Sequence, residues 1–348
     1  MQYCTILVVI ALWTPARPID GEMSGSNPRL FSLFQPMKEF KTYDEQIAAL
    51  KSRGLQIKDE LAVRSFLERN DYYNVITGYS DIFIDNSTNN KKYIHGIGFD
   101  NIKALWSFDK LLRHELFKFM IIVERNIKSK LMYHIAQKYG EYDYLNIDFF
   151  NPECVLKASE LLEGIHCEIA RQNENKNPLV RQYKTQGRML PPPWILANIL
   201  SFGQISRLYR CLNQGLQSTI AKDLSRQLKK NIFPKDIITS LKIVNLFRNL
   251  CAHDQRLFDF MPHNSFSKKH LVNTHCNSDK ASGLFAFVCS MYYLQDADDF
   301  NELLQVFIKA FDCIKTFSPS FISIIHSKTG FPKDWRDLLF INKEKITP

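Results

Sequence analysis

The sequence predicts an all-α protein, built as an up-and-down helical bundle with additional helices on its N-terminal side. Between residues 99 and 139 the apolar positions Leu105, Phe108, Leu112 and Leu116 advance by three or four, as one buried helix face requires. Strand-type alternation is scarce along the chain. With 348 residues, 45% hydrophobic and 23% charged, the composition is that of an ordinary globular protein large enough to bury a full core.

Helix boundaries follow from capping residues and from Pro and Gly. Thr42 and Glu45 have the spacing of a capping box, and Gly54 ends the helix that they begin. Gly140 ends the long periodic stretch. Besides 99–139, helices are predicted over residues 43–52, 58–69, 152–172, 194–213, 216–230, 234–258 and 298–316. Residues 71–83 are aromatic and irregular, and residues 85–92 form a polar loop.

The chain is divided here into three regions. Residues 1–36 lack periodicity and are interpreted as a disordered extension or as the product of a misassigned start, with folding beginning near Met37. A cleaved secretory signal is the alternative, but Met1, Gln2 and Tyr3 include no basic residue. Residues 37–98 are predicted to be an N-terminal helical and aromatic region, and residues 99–342 the main bundle.

Several classes of function are disfavoured by what the sequence contains. The apolar run at 4–13 is too short to span a bilayer, so no membrane partner is expected. Eight widely spaced cysteines without a CxxC pair favour a reducing, cytoplasmic location. His263, His270, His275 and Cys276 cluster, but their spacing fits no standard zinc pattern, so we expect no metal. No nucleotide-binding loop is found, and no cofactor is expected.

Basic residues are concentrated in one part of the chain. Residues 176–235 carry a net charge of +10 in a chain whose total is +9. One interpretation is a solvated surface that keeps the protein soluble. The other is a face that binds RNA phosphates, since Lys and Arg supply most of the affinity for nucleic acids. The residues assigned to that face are Arg207, Arg210, Arg226, Lys229 and Lys230.

A charged residue interrupts the apolar face of the helix predicted at 234–258. Ile237, Leu241 and Val244 mark that face, and the next position in phase is Arg248, which needs a partner or a cleft. Asn249 and His253 are four residues apart and share a face, whereas Arg248 and His253 would lie about 140° apart on an ideal helix. Spacing alone is also compatible with a purely structural Arg and His.

The segment RNLCAH at 248–253 resembles the R-x(4–6)-H signature of HEPN domains. The chain as a whole resembles the Abi-like family of bacterial abortive-infection proteins, of the AbiD and AbiF type. Six separated motifs carry this resemblance in the same order, namely TYDEQIAALKSRGL (42–55), NDYYNVITGY (70–79), FDKLLRHELFKFMIIVERNIKS (108–129), PPPWILANILSFGQISRLY (191–209), RNLCAHDQRLF (248–258) and GFPKDW (330–335).

The resemblance implies a HEPN-type bundle and a metal-independent endoribonuclease. Arg248 and His253 match the catalytic motif, and Asn249 matches the polar position after the Arg. Glu124 is a candidate to accept a hydrogen bond from Arg248, the alternative being an ordinary ion pair, and Arg256 is assigned a supporting role. The implied partners are RNA, a second copy of the chain that completes the site, and a restraining antitoxin or regulatory RNA. A non-catalytic RNA-binding protein and a helical scaffold are the competing interpretations.

Overall fold

The architecture is described from a computed structural model that covers residues 39–87, 91–175, 177–185, 190–263, 266–267, 280–333 and 335–336. The predicted leader at 1–36 lies outside these residues. The chain divides into the units Met1–Thr42 and Tyr43–Pro348, and every helix below belongs to the second unit.

The described residues are mostly helical, which confirms the all-α prediction. The helices are Tyr43–Ser52 (α1), Glu60–Arg69 (α2), Phe99–Tyr139 (α3), Val155–Glu174 (α4), Pro178–Thr185 (α5), Pro193–Ile199 (α6), Phe202–Cys211 (α7), Gln214–Leu228 (α8), Pro234–Ala252 (α9), Gly283–Tyr292 (α10), Ala297–Phe317 (α11) and Ile322–Thr329 (α12). A two-residue antiparallel pair joins Phe266–Ser267 (β1) to Lys280–Ala281 (β2). In the irregular segment 71–83, π-helical and 3₁₀ turns occupy Tyr73–Thr77 and Asp81–Phe83.

The long helix α3 is the axis of the fold and has the predicted bounds. It begins at Gly98, whose N–H donates to the Asn101 side chain at 3.0 Å, and it ends at Gly140, which has a φ of 79°. Leu105, Leu112 and the rest of its predicted apolar face are buried. α3 packs against α6, α9 and α11, and α9 packs in turn against α10. The core therefore lies along both sides of α3.

The helix α9 ends earlier than predicted, at Ala252 rather than at residue 258. Its C-terminus is a Schellman motif: the Gln255 N–H donates to the Leu250 carbonyl at 2.8 Å, and the Asp254 N–H donates to the Cys251 carbonyl at 3.3 Å. Asp254 takes the left-handed conformation, with a φ of 51°. Glycine usually occupies this position, so the sequence carries no obvious stop signal here.

Two further differences have local causes, and α5 and α12 also lie where no helix was predicted. The helix predicted over 194–213 is split into α6 and α7, because Ser201 and Gln204 form a capping box that starts a new helix. α10 was not predicted, and the residues of Gly283–Met291 are all buried. A segment that is apolar on every side has no helical periodicity to detect. No helix in the described part of the chain is long and apolar enough to cross a membrane.

Candidate active site

Arg248 lies on the last turns of α9 and faces α3. Its Nε is 3.5 Å from the Glu124 Oε2, and its guanidinium carbon is 6.0 Å from the centre of the Phe117 ring. The Nε is buried and makes no hydrogen bond to the described residues, while a third of the whole side chain is exposed. The fold thus gives this cation a carboxylate and the face of an aromatic ring, and leaves part of it accessible to solvent.

Glu124 is shared between two cations. Besides Arg248, it pairs with Lys128 one turn further along α3, at 2.8 Å. The contact with Arg248 is an ion pair at 3.5 Å and does not have the geometry of the predicted hydrogen bond. Glu124 is half-buried, and its charge lies close to the Arg248 guanidinium.

His253 caps the C-terminus of α9 and is exposed. Its backbone N–H donates to the Asn249 carbonyl at 3.0 Å, and the Asn249 side chain is exposed one turn before it. Within the described residues, the His253 ring makes no hydrogen bond or ion pair. The single chain therefore holds Arg248 against Glu124 and presents His253 to solvent.

A buried polar network lies behind this helix end. The Tyr79 hydroxyl donates to Asp109 Oδ2 at 2.6 Å, and the Leu257 N–H donates to Asp109 Oδ1 at 3.1 Å. Arg113 is ion-paired with Asp109 and donates through its Nε to Asp254 Oδ1 at 2.8 Å. Asp109 is fully buried and Arg113 is 3% exposed. Burial beside Asp109 raises the pKa of Tyr79 far above its usual range, so this hydroxyl remains a donor.

The network fixes the chain on the C-terminal side of His253. Arg113 binds the exposed carboxylate of Asp254, and the buried Asp109 accepts from the Leu257 N–H, so both contacts hold the residues that follow the helix. Tyr79, Asp109 and Arg113 were not singled out from the sequence. The available signal was a pair of opposite charges, four apart, beside the apolar positions of α3.

Arg256 and Cys251 have structural surroundings. Arg256 donates to the Gly78 carbonyl and pairs with Asp259 at 2.9 Å, which ties the segment after α9 to the π-helical turn. Burial raises the pKa of the Cys251 thiol to about 12, so it stays protonated at neutral pH. Neither side chain is brought to Arg248 by a contact among the described residues.

The predicted RNA-binding residues differ in accessibility. Arg207, Arg226 and Lys229 are exposed, and Arg210 is half-buried. Arg226 pairs with Asp223 at 2.7 Å, yet 83% of its side chain remains exposed. Lys230 donates to the Tyr292 and Gln295 carbonyls at 2.7 and 2.8 Å, and burial lowers its pKa to about 8. Its ammonium is therefore used within the fold.

The residues considered for metal binding lie mostly outside the described part of the chain. Of the four, His263 is described, and His270, His275 and Cys276 are not. Across the residues that the structure does describe, no three His, Cys, Asp or Glu side chains lie close enough to hold an ion together.

The fold and this site define an all-α protein in which Arg248 and His253 lie at the C-terminal end of one helix, α9. A family model described as "Abi-like protein" matches residues 65–259, which is more than half of the chain. The chain belongs to the Abi-like protein family. Among curated proteins no significant match was found, and no solved structure matches significantly.

Proposed function

We propose that this Abi-like protein is a metal-independent endoribonuclease with a HEPN-type bundle, acting in abortive infection. The proposal rests on two side chains of different chemistry at the C-terminal end of α9. One is the partly exposed guanidinium of Arg248 beside Glu124, and the other is the exposed imidazole of His253, five residues later. Membership of the family supports the abortive-infection role. An antitoxin or a regulatory RNA would restrain such an activity in uninfected cells.

The proposed reaction uses the nucleophile that RNA itself carries. His253 acts as the general base and accepts the proton of a ribose 2′-OH. The 2′-oxygen then forms a bond to the adjacent phosphorus, and the bond from phosphorus to the 5′-oxygen breaks. The leaving 5′-oxygen takes up a proton from the imidazolium that His253 has become. The products are a 2′,3′-cyclic phosphate and a 5′-hydroxyl, and no metal-bound water is required.

Arg248 supplies fixed positive charge in this scheme. A guanidinium stays protonated throughout the reaction, and its fork matches two phosphate oxygens. It therefore stabilises the charge that develops on the phosphorane-like transition state. Asn249, exposed on the same face as His253, would orient the imidazole or bind a phosphate oxygen. Glu124 would act indirectly, by orienting Arg248.

The proposed site contains two copies of α9. Arg248 is turned toward α3 and His253 toward solvent, and an ideal helix separates positions five apart by about 140°. A two-fold axis beside the end of α9 would bring Arg248 of one chain to the scissile phosphate together with His253 of the other, since an isologous interface repeats the same patch on both subunits. Exposed Arg207, Arg226 and Lys229 would bind the flanking phosphates.

The test is cleavage of mixed cellular RNA in EDTA, with analysis of the product ends. We expect 2′,3′-cyclic phosphate ends from the wild type and a loss of at least about 100-fold in rate for His253→Ala, the scale of general acid–base catalysis. Arg248→Ala should lose a similar amount. His166→Ala, at an exposed histidine on α4, is the matched control and should keep full activity.

RNA binding without cleavage by the wild type would contradict the nuclease and support the non-catalytic reading instead. The basic segment favours that second candidate as far as binding is concerned. Salt dependence separates both from a scaffold, because phosphate contacts weaken steeply as the salt concentration rises.

A further inference from the structure

Two adjoining clefts open along α3, from Glu124 toward the C-terminal end of that helix. The first, about 930 Å³ in volume, lies between α3 and α6 and is bordered by Glu124, Lys128, Tyr133, Trp194 and Asn198. Glu124 also forms the ion pair with Arg248, so the first cleft adjoins the candidate active site.

The second cleft lies between α3 and α8 and has a volume of about 450 Å³. Thr219, Lys222 and Arg226 border it from α8, and Tyr133 and Gln137 border it from α3. Because Tyr133 and Gln137 also line the first cleft, the two clefts adjoin at one turn of α3. Tyr133 lies nine residues beyond Glu124, which is about 13.5 Å along the helix.

The aromatic residues of these clefts are unusually open for their type. Tyr133 is 61% exposed and Trp194 is 47% exposed. Both are therefore available as flat surfaces, rather than serving only to fill the core. Every nucleobase has a π-face, and stacking on an exposed aromatic ring is how proteins bind single strands with little sequence preference.

The charges of the second cleft suit a phosphodiester strand, whereas in the first cleft the acids Glu124 and Glu141 accompany the cations Arg125 and Lys128. Lys222 is exposed beside Arg226 on α8. Asp223, the acid between them, is neutralised by Lys130 at 2.6 Å and by Arg226 at 2.7 Å. These cations hold the pKa of Asp223 well below its usual range, so the carboxylate stays paired rather than repelling a phosphate.

We propose that the two clefts form one track that binds single-stranded RNA beside the scissile phosphate, with Trp194 and Tyr133 stacking on bases and Lys222 and Arg226 contacting the backbone. This inference rests on the proposed function, because it assigns the substrate path of the same site. The amides of Gln137 and Asn198 border the track and are suited to read base edges.

The test measures binding separately from cleavage. The probe is a labelled single-stranded RNA with 2′-O-methyl riboses, which lacks the nucleophile and so binds without being cut. Stacking of one base on one ring corresponds to roughly 5- to 150-fold in affinity. We expect Tyr133→Ala and Trp194→Ala each to weaken binding by at least about fivefold, and Tyr133→Phe and Trp194→Phe, which keep the ring, to bind nearly as the wild type does.

Phe317→Ala is the matched control. Phe317 is 56% exposed, and its carbonyl accepts from Asn101 near the start of α3, so it lies at the opposite end of that helix from both clefts. The affinity of Phe317→Ala for the RNA probe should equal that of the wild type. Trp194 adds a direct signal: the probe should quench tryptophan fluorescence in the wild type and much less in Trp194→Phe.

Affinities for Tyr133→Ala and Trp194→Ala within twofold of the wild type would overturn the track, as would absence of probe binding by the wild type. A shift of either variant from dimer to monomer, with unchanged binding per dimer, would assign the clefts to subunit contact and overturn it too. The two proposals fail independently. Ring-dependent binding without cleavage leaves the track and removes the nuclease, whereas His253-dependent cleavage with ring-independent binding does the reverse.

Discussion

Arg248 and His253 are held by the fold in different ways. Arg248 has a half-buried carboxylate beside it and keeps a third of its side chain exposed, whereas the His253 ring has no partner among the described residues. A fixed cation and an exposed base are suited to complementary tasks. In the proposed reaction, Arg248 stabilises the developing negative charge and His253 accepts and returns a proton.

At the residue scale, the buried carboxylate of Asp109 binds Tyr79, Arg113 and the Leu257 N–H behind the end of α9. Asp109→Asn keeps the size of the side chain but removes the buried counter-charge of Arg113, which then has only the exposed carboxylate of Asp254. We expect a loss of about 3–5 kcal/mol in the free energy of unfolding, measured by urea titration. The control is Asp312→Asn, which removes an exposed pair with Arg336 and should cost less than about 1 kcal/mol. Equal losses in the two variants would refute the assignment.

At the element scale, the ends and partners of helices decide what the sequence reveals. The full length of α3 was predictable, because its apolar face repeats regularly and glycines mark both ends. The end of α9 was not, because Asp254 occupies the left-handed position without being glycine, and Arg113, which holds it, is 141 residues away. α10 is apolar on all sides, so its periodicity carries no signal.

The same reasoning explains which parts of the candidate site were found. Arg248, Asn249 and His253 belong to one short segment, so a motif and a helical wheel suffice to single them out. The Asp109 network joins Tyr79, α3 and the segment after α9, and only the folded chain brings these together. Lys230 belongs to a basic stretch of sequence that is typical of a surface. In the fold, however, its ammonium lies over the Tyr292 ring and is used inside the protein.

A histidine at the interface between α11 and α12 makes the stability of the protein depend on pH. His326 of α12 stacks on Phe311 of α11, with ring centres 4.5 Å apart, and its Nδ1 is buried without a hydrogen bond among the described residues. Burial and the nearby Arg336 lower the pKa of His326. Below about pH 6.5 the unfolded chain therefore binds a proton that the folded chain does not.

We accordingly expect the free energy of unfolding to fall as the pH is lowered from 7.5 to 5.5, by at most about 1.4 kcal/mol per pH unit from this group. His326→Phe keeps the stacked ring and should remove that part of the slope. His166→Phe, at an exposed position, should leave the slope unchanged. Urea titrations at three pH values measure it, and an unaltered slope in His326→Phe would contradict the expectation.

At the scale of the whole molecule, the basic segment and the candidate site meet along α3. Glu124 connects Arg248 to the first cleft, and Tyr133 connects that cleft to the cations of α8. The proposed catalytic centre, the proposed RNA track and the exposed cations thus follow one helix. A second copy of the chain would double this surface and give each site a His253 from the other subunit.

The most direct test of a site shared between two copies mixes two inactive variants. Arg248→Ala and His253→Ala should each fail to cleave RNA alone. After subunit exchange at equal concentrations, each mixed dimer holds one site with both residues intact, so activity should recover to at most about a quarter of the wild-type rate. Mixtures as inactive as either variant, in samples where exchange is demonstrated, would contradict a site that joins Arg248 of one chain to His253 of the other.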